Sequence, residues 1–179
     1  MFAFRGICLL LLPLSGSPQD IDRKAFCKEL NEIVTAFAHS KDSLKGEYVG
    51  ENKFGIQQWV AKYPLPGAME KFYEHTSLES TEEFRATYVM KESAPQKEAE
   101  GLYKQIVQAV RWCYGGDYLL NEKETSEWDN NGKIHQHHEA AFTYTGAEDK
   151  GIKMPVILIR SYSIKSGLYS VDVELWKVE

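Results

Sequence analysis

Leu168-Tyr-Ser-Val-Asp-Val-Glu-Leu-Trp-Lys-Val178 is the stretch that decides the fold. Tyr169, Val171, Val173 and Leu175 alternate with Ser170, Asp172 and Glu174, the period of two that gives a strand one buried and one wet face. Upstream, Val156-Ile-Leu-Ile159 is apolar on both sides, which suits a strand in the interior of a sheet. Lys165-Ser-Gly167 between the two has the residues of a hairpin turn. Further back, Tyr118–Trp128 and Lys133–Tyr144 are strand-like and flank a second turn sequence, Asp129-Asn-Asn-Gly132. Four antiparallel strands therefore close the chain.

The same plan precedes them. Phe26, Leu30, Ile33, Val34 and Phe37 recur every three or four residues after a capping Asp22 and predict a first helix. Leu102, Ile106, Ala109, Val110 and Cys113 mark a second, expected from Ser93 and stopped by Gly115-Gly116. Between the helices lie strand-like Leu44–Val49, Ile56–Tyr63 and Glu83–Met90, with Ala68–His75 open between a strand and one helical turn. The expected class is α+β, with two helices on one face of a large antiparallel sheet in the order helix, three or four strands, helix, four strands. Residues 20–92 and 93–179 are candidate halves of an internal duplication, although no fixed-period repeat is visible.

A chain of 179 residues with 43% hydrophobic and 12% aromatic content can bury a full core and is not disordered. Its net charge of −5 argues against a dedicated nucleic-acid binder. The N-terminus has a composition of its own. A single charge at Arg5 precedes the apolar run Gly6–Leu14, which is too short to span a bilayer, and the small residues Ser15-Gly-Ser17 follow. Residues 1–17 are read as an export signal and 18–179 as a single domain, periplasmic or secreted, with no transmembrane anchor once the signal is removed. Cys8 lies inside the apolar run and lacks the setting of a lipidated cysteine. Removal of the signal leaves Cys27 and Cys113, each at or beside a helix's buried stripe. In an oxidising compartment they are expected to form a disulfide worth roughly 4 kcal/mol in the chain-entropy model.

Most catalytic signatures are missing: there is no phosphate-binding glycine loop, G-x-S-x-G, H-E-x-x-H or C-x-x-C. Asp129–Lys133 reads as a turn and not as a calcium loop. The one dense cluster is His135-Gln-His137-His138-Glu139. In a strand, His135, His137 and Glu139 share a face. If Trp128 pairs with Lys133 across a four-residue turn, Glu124 and Glu122 join them opposite His137 and Glu139. Such a set is capable of holding zinc, but it equally describes a solvated strand face, and that reading is favoured. Trp59 and Trp176 are candidate ligand or partner residues, Trp176 because it stands on the polar side of the last strand. The function expected is that of an exported, acidic, non-enzymatic binding module without a cofactor. Its partner would be another envelope protein, an enzyme it inhibits, or a small apolar ligand. The alternative is a hydrolase or metal-dependent enzyme with its site near His135, His137 and Glu139.

Overall fold

The computed structural model describes residues 21–52, 54–78, 80–128, 134–146, 152–165 and 167–179. The segment read as an export signal and the Asp129–Gly132 turn lie outside these residues. Helix α1 (Arg23–His39) begins where Asp22 accepts hydrogen bonds from the amides of Lys24 at 3.0 Å and Ala25 at 3.2 Å. These bonds satisfy two of the four donors a helix leaves orphaned at its start. The chain then passes through a 3-10 turn (Lys41–Leu44) into four strands: β1 (Lys45–Glu51), β2 (Gln57–Ala61), β3 (Glu70–Leu78) and β4 (Thr81–Pro95). Helix α2 (Gln96–Tyr114) follows, and then β5 (Tyr118–Trp128), β6 (Ile134–Tyr144), β7 (Val156–Lys165) and β8 (Leu168–Val178). The protein is α+β, and its eight strands form one antiparallel sheet in the order β1-β2-β3-β4-β8-β7-β6-β5.

Two local expectations give way to longer-range structure. Ala68–His75 contributes a strand, because β3 is paired on both sides, by β2 and by β4. The second helix starts at Gln96 and not near Ser93. Pro95 keeps extended backbone (ψ 147°), and a residue preceding proline is driven out of the helical region, so β4 runs on through two register irregularities to Pro95. Gly115, at φ 54°, ends the helix in a conformation that a side chain would oppose.

Both helices belong to one apolar cluster. Phe26, Leu30, Ile33 and Phe37 of α1 and Ala99, Ile106 and Val110 of α2 are buried with Tyr73, Phe84, Ile157, Val171 and Val173 of the sheet. Each large aliphatic or aromatic side chain removed from water there contributes about 1.5–3 kcal/mol. Cys27 and Cys113 are joined in a disulfide that ties α1 to α2, with Cα atoms 5.2 Å apart. Lys177, on the helix side of β8, donates to the Ala38 carbonyl at 3.3 Å and so satisfies an acceptor at the end of α1.

Among the described residues, no helix packs on the other face of the sheet. The polar residues of β8 point to it, and here the wet face expected from their alternation is overturned: Ser170, Asp172 and Glu174 are buried. β8 lies at the centre of eight strands, and long side chains of β4 and β7 close over its carboxylates.

Candidate functional site

Strand register assembles a band of alternating charge across the helix-free face. Glu74 of β3 lies opposite Arg85 of β4. Arg85 is opposite Trp176 of β8, one same-face step from Glu174. Arg160 of β7 is opposite Asp172, again one step from Glu174, and is also opposite Glu139 of β6. Glu139 in turn faces Lys123 of β5. The series Glu74, Arg85, Glu174, Arg160, Glu139, Lys123 thus changes sign at each strand, which suits cross-strand attraction.

Most of these neighbours touch. Arg85 donates from Nε to Glu74 Oε2 at 3.0 Å and also through Nη2, while Gln58 Nε2 donates to Glu74 Oε1 at 2.7 Å. Arg160 donates from Nε to Glu139 at 2.9 Å and from Nη1 to both oxygens of Glu174 at 3.3 Å. Beside this band, Asp172 accepts from the Tyr162 hydroxyl at 2.7 Å and from Ser170 at 2.9 Å. Burial pushes the carboxyl of Asp172 above its ordinary range, against the pull of those two hydroxyls. Burial likewise raises Glu174, opposed by Arg160 and Arg85. Tyr162 is pushed up to about 12, first by burial and then by its bond to Asp172. Above the band opens a groove of about 420 Å³, with Arg85, Lys123, His137, Glu139, Arg160 and Glu174 among its lining residues.

The histidine cluster does not assemble as the four-residue turn predicts. β5 ends at Trp128 and β6 starts at Ile134, and these two are partners, so the register moves by one residue. A shift of one carries every side chain to the opposite set of neighbours. Glu124 therefore pairs with His138, at 4.0 Å, and not with His137. That pair is on the helix side, where the Tyr103 ring of α2 lies 5.4 Å from His138. Glu122 goes with them, 3.5 Å from Arg111 of α2. His137 and Glu139 stay on the groove side, and the Ser163 amide donates to His137 Nδ1 at 3.3 Å. His135 is buried, with Nδ1 3.3 Å from Ser163 Oγ and its ring 6.5 Å from that of Tyr169. Among the described residues no three His, Cys, Asp or Glu side chains are grouped to hold a metal ion.

The two tryptophans stand on opposite faces of the sheet. Trp59 is on the helix side, between Tyr48 and Tyr73 at ring distances of 5.4 and 5.8 Å, with the Lys45 ammonium 4.6 Å above it. It belongs to a file of packed aromatics. Trp176 is half-buried on the helix-free face, in a second hollow of about 250 Å³ that it shares with Met154 and Val156.

Sequence reasoning overlooks the residues that build the band: Glu74, Arg85, Arg160 and Glu174. Glu74 looks isolated along the chain, yet hairpin pairing of β3 with β4 sets it against Arg85. The available signal was opposite charge at matching distances from the Leu78–Thr81 turn. The signal in β8 was the placing of Asp172 and Glu174 between valines in a strand neighboured by the apolar run Val156–Ile159. No known protein family, curated protein or solved structure matches this chain.

Proposed function

We propose that this chain is an exported, non-enzymatic binding protein that engages a protein partner through the helix-free face of its sheet. The observation that carries this reading is the groove over the charge band. Its arginines are already oriented by neighbouring carboxylates, so little side-chain ordering remains to be done on binding. A charged lining suits a protein surface better than the small apolar ligand that composition alone leaves open. Export is supported by the Cys27–Cys113 disulfide, since such bonds persist in oxidising compartments. No described helix is long and apolar enough to cross a membrane. We further infer that residues 20–92 and 93–179 are two copies of one helix-and-four-strand unit. In support, each helix precedes four strands, and the two strand sets mirror one another across the β4–β8 seam.

A photo-crosslinking amino acid placed at Thr125, in the groove, tests the binding face when the protein is made in its own exporting host. Glu32, on the exposed side of α1, is the control position. A discrete crosslinked species from Thr125 and none from Glu32 is the expected result. Equal yields from both positions, or none from Thr125, would overturn the assignment of the face.

A further inference from the structure

The groove is layered by charge. The carboxylate of Glu174 lies in its floor and that of Glu74 stands just outside it behind Arg85, with side chains only 7% and 11% exposed. The guanidinium groups of Arg85 and Arg160 lie over them, 38% and 31% exposed. Glu139 is the one acidic residue of the band at the surface, and it is engaged by Arg160 Nε. Lys123 is exposed on the edge strand beside it. The exposed charges of the groove are thus Arg85, Arg160 and Lys123 against Glu139 alone, an excess of cations in a chain that is acidic as a whole.

Each arginine also keeps a donor in reserve. Glu74 takes Nε and Nη2 of Arg85; Glu139 and Glu174 take Nε and Nη1 of Arg160. Among the described residues, Arg85 Nη1 and Arg160 Nη2 have no acceptor. Arg85, held along its Nε–Nη2 edge by Glu74, presents its other edge in a fixed orientation that matches the oxygens of a second carboxylate. Arg160, held at Nε by Glu139 and at Nη1 by Glu174, offers Nη2 as a single oriented donor.

From this geometry we propose that the groove takes an acidic segment of the partner protein, whose Asp or Glu side chains accept from Arg85 Nη1 and Arg160 Nη2 while Lys123 attracts the flanking charge. The proposal rests on the helix-free face being the binding face, and it names the chemistry recognised there. The groove's volume, about 420 Å³, accommodates several side chains of an extended segment rather than one small anion.

The test uses the full mature protein and a fluorescently labelled hexaglutamate peptide, followed by anisotropy at low and high salt, with hexalysine as the control. Saturable binding of hexaglutamate that weakens with salt is expected, with none of hexalysine. Arg160→Gln should weaken binding about 10- to 100-fold, since a charge-assisted bond is lost. That variant leaves Glu174 without its bonded cation, so Lys123→Glu, at an exposed position, is measured beside it and should also weaken binding. Three results would each overturn the proposal: no binding of hexaglutamate, equal binding of hexalysine, or unchanged affinity in Lys123→Glu. A Thr125 crosslink without hexaglutamate binding would refute the acidic segment and leave the binding face standing. Loss of the crosslink itself would refute the face.

Discussion

Reduction of the Cys27–Cys113 bond should cost this protein a large part of its stability, and the size follows from where the bond lies. The cysteines are 86 positions apart, so the closed loop contains the rest of α1, all of β1–β4 and nearly all of α2. In the chain-entropy model a loop of that length lowers the entropy of the unfolded chain by about 15 cal/mol/K, or about 4.6 kcal/mol at 25 °C. For a domain of this size that amounts to a fall in melting temperature of roughly 9–18 °C. Urea titration of oxidised and dithiothreitol-treated wild-type protein isolates the link, because no side chain is changed. The reduced protein should unfold at lower urea and with a steeper dependence, since its unfolded chain is less compact. A reduced protein within about 1 kcal/mol of the oxidised one would refute the reasoning, because a loop that gains so little freedom is not an open chain when unfolded. Two alkylatable thiols in unreduced, denatured protein would show that there is no bond to lose.

Three other outcomes are expected. Burial raises the carboxyl of Asp172, so the folded state holds its proton more tightly than the unfolded chain, and stability falls as pH rises from about 4 through the raised value. Asp172→Asn should therefore gain stability relative to wild type across that window in a urea series at stepped pH; a relative loss with rising pH would contradict the sign. Zinc should leave the melting temperature within about 1 °C, whereas occupancy of a native-state site at a hundredfold the dissociation constant would add about 2.7 kcal/mol. A rise that vanishes in the His135→Ala, His137→Ala double variant would restore the metal reading. N-terminal sequencing of the protein from fractionated cells should find a first residue between Ser17 and Asp20 outside the cytoplasm, and intact Met1 on a cytosolic product would end the export reading.

The parts of this fold legible in the sequence are those governed by neighbours along the chain. The stripe from Phe26 to Phe37, the cap at Asp22, the stop at Gly115 and the strand from Tyr169 to Leu175 each depend on a few adjacent residues, and each is present. What local sequence misjudges is decided by partners elsewhere. Ala68–His75 becomes a strand because β2 and β4 flank it, and the helix start slips to Gln96 because β4 holds its pairing with β8 as far as Pro95. The histidine face is lost through a single residue of turn length, which strand geometry converts into a change of face for Glu124. Asp172 and Glu174 look solvated in their own strand and are buried by Arg85, Arg160 and Tyr162, none of them within nine residues of either carboxylate.

That last discrepancy bears directly on function. Burying a carboxylate is costly, and an ion pair in a low-dielectric setting recovers that cost only when its geometry and hydrogen bonds are good. On the helix-free face Glu174 sits beneath two arginines, at 3.3 Å from the nearer, which is a modest bond for so expensive a burial. Valine or leucine at these positions would serve the sheet at least as well, as Val171, Val173 and Leu175 do on the other side of the same strand. The helix side is built the cheap way, with apolar stripes, a disulfide and one capping lysine. A chain selected for stability alone has no reason to treat its two faces so differently. On the proposed function, the carboxylates are there to hold Arg85 and Arg160 in place for a partner that docks against them.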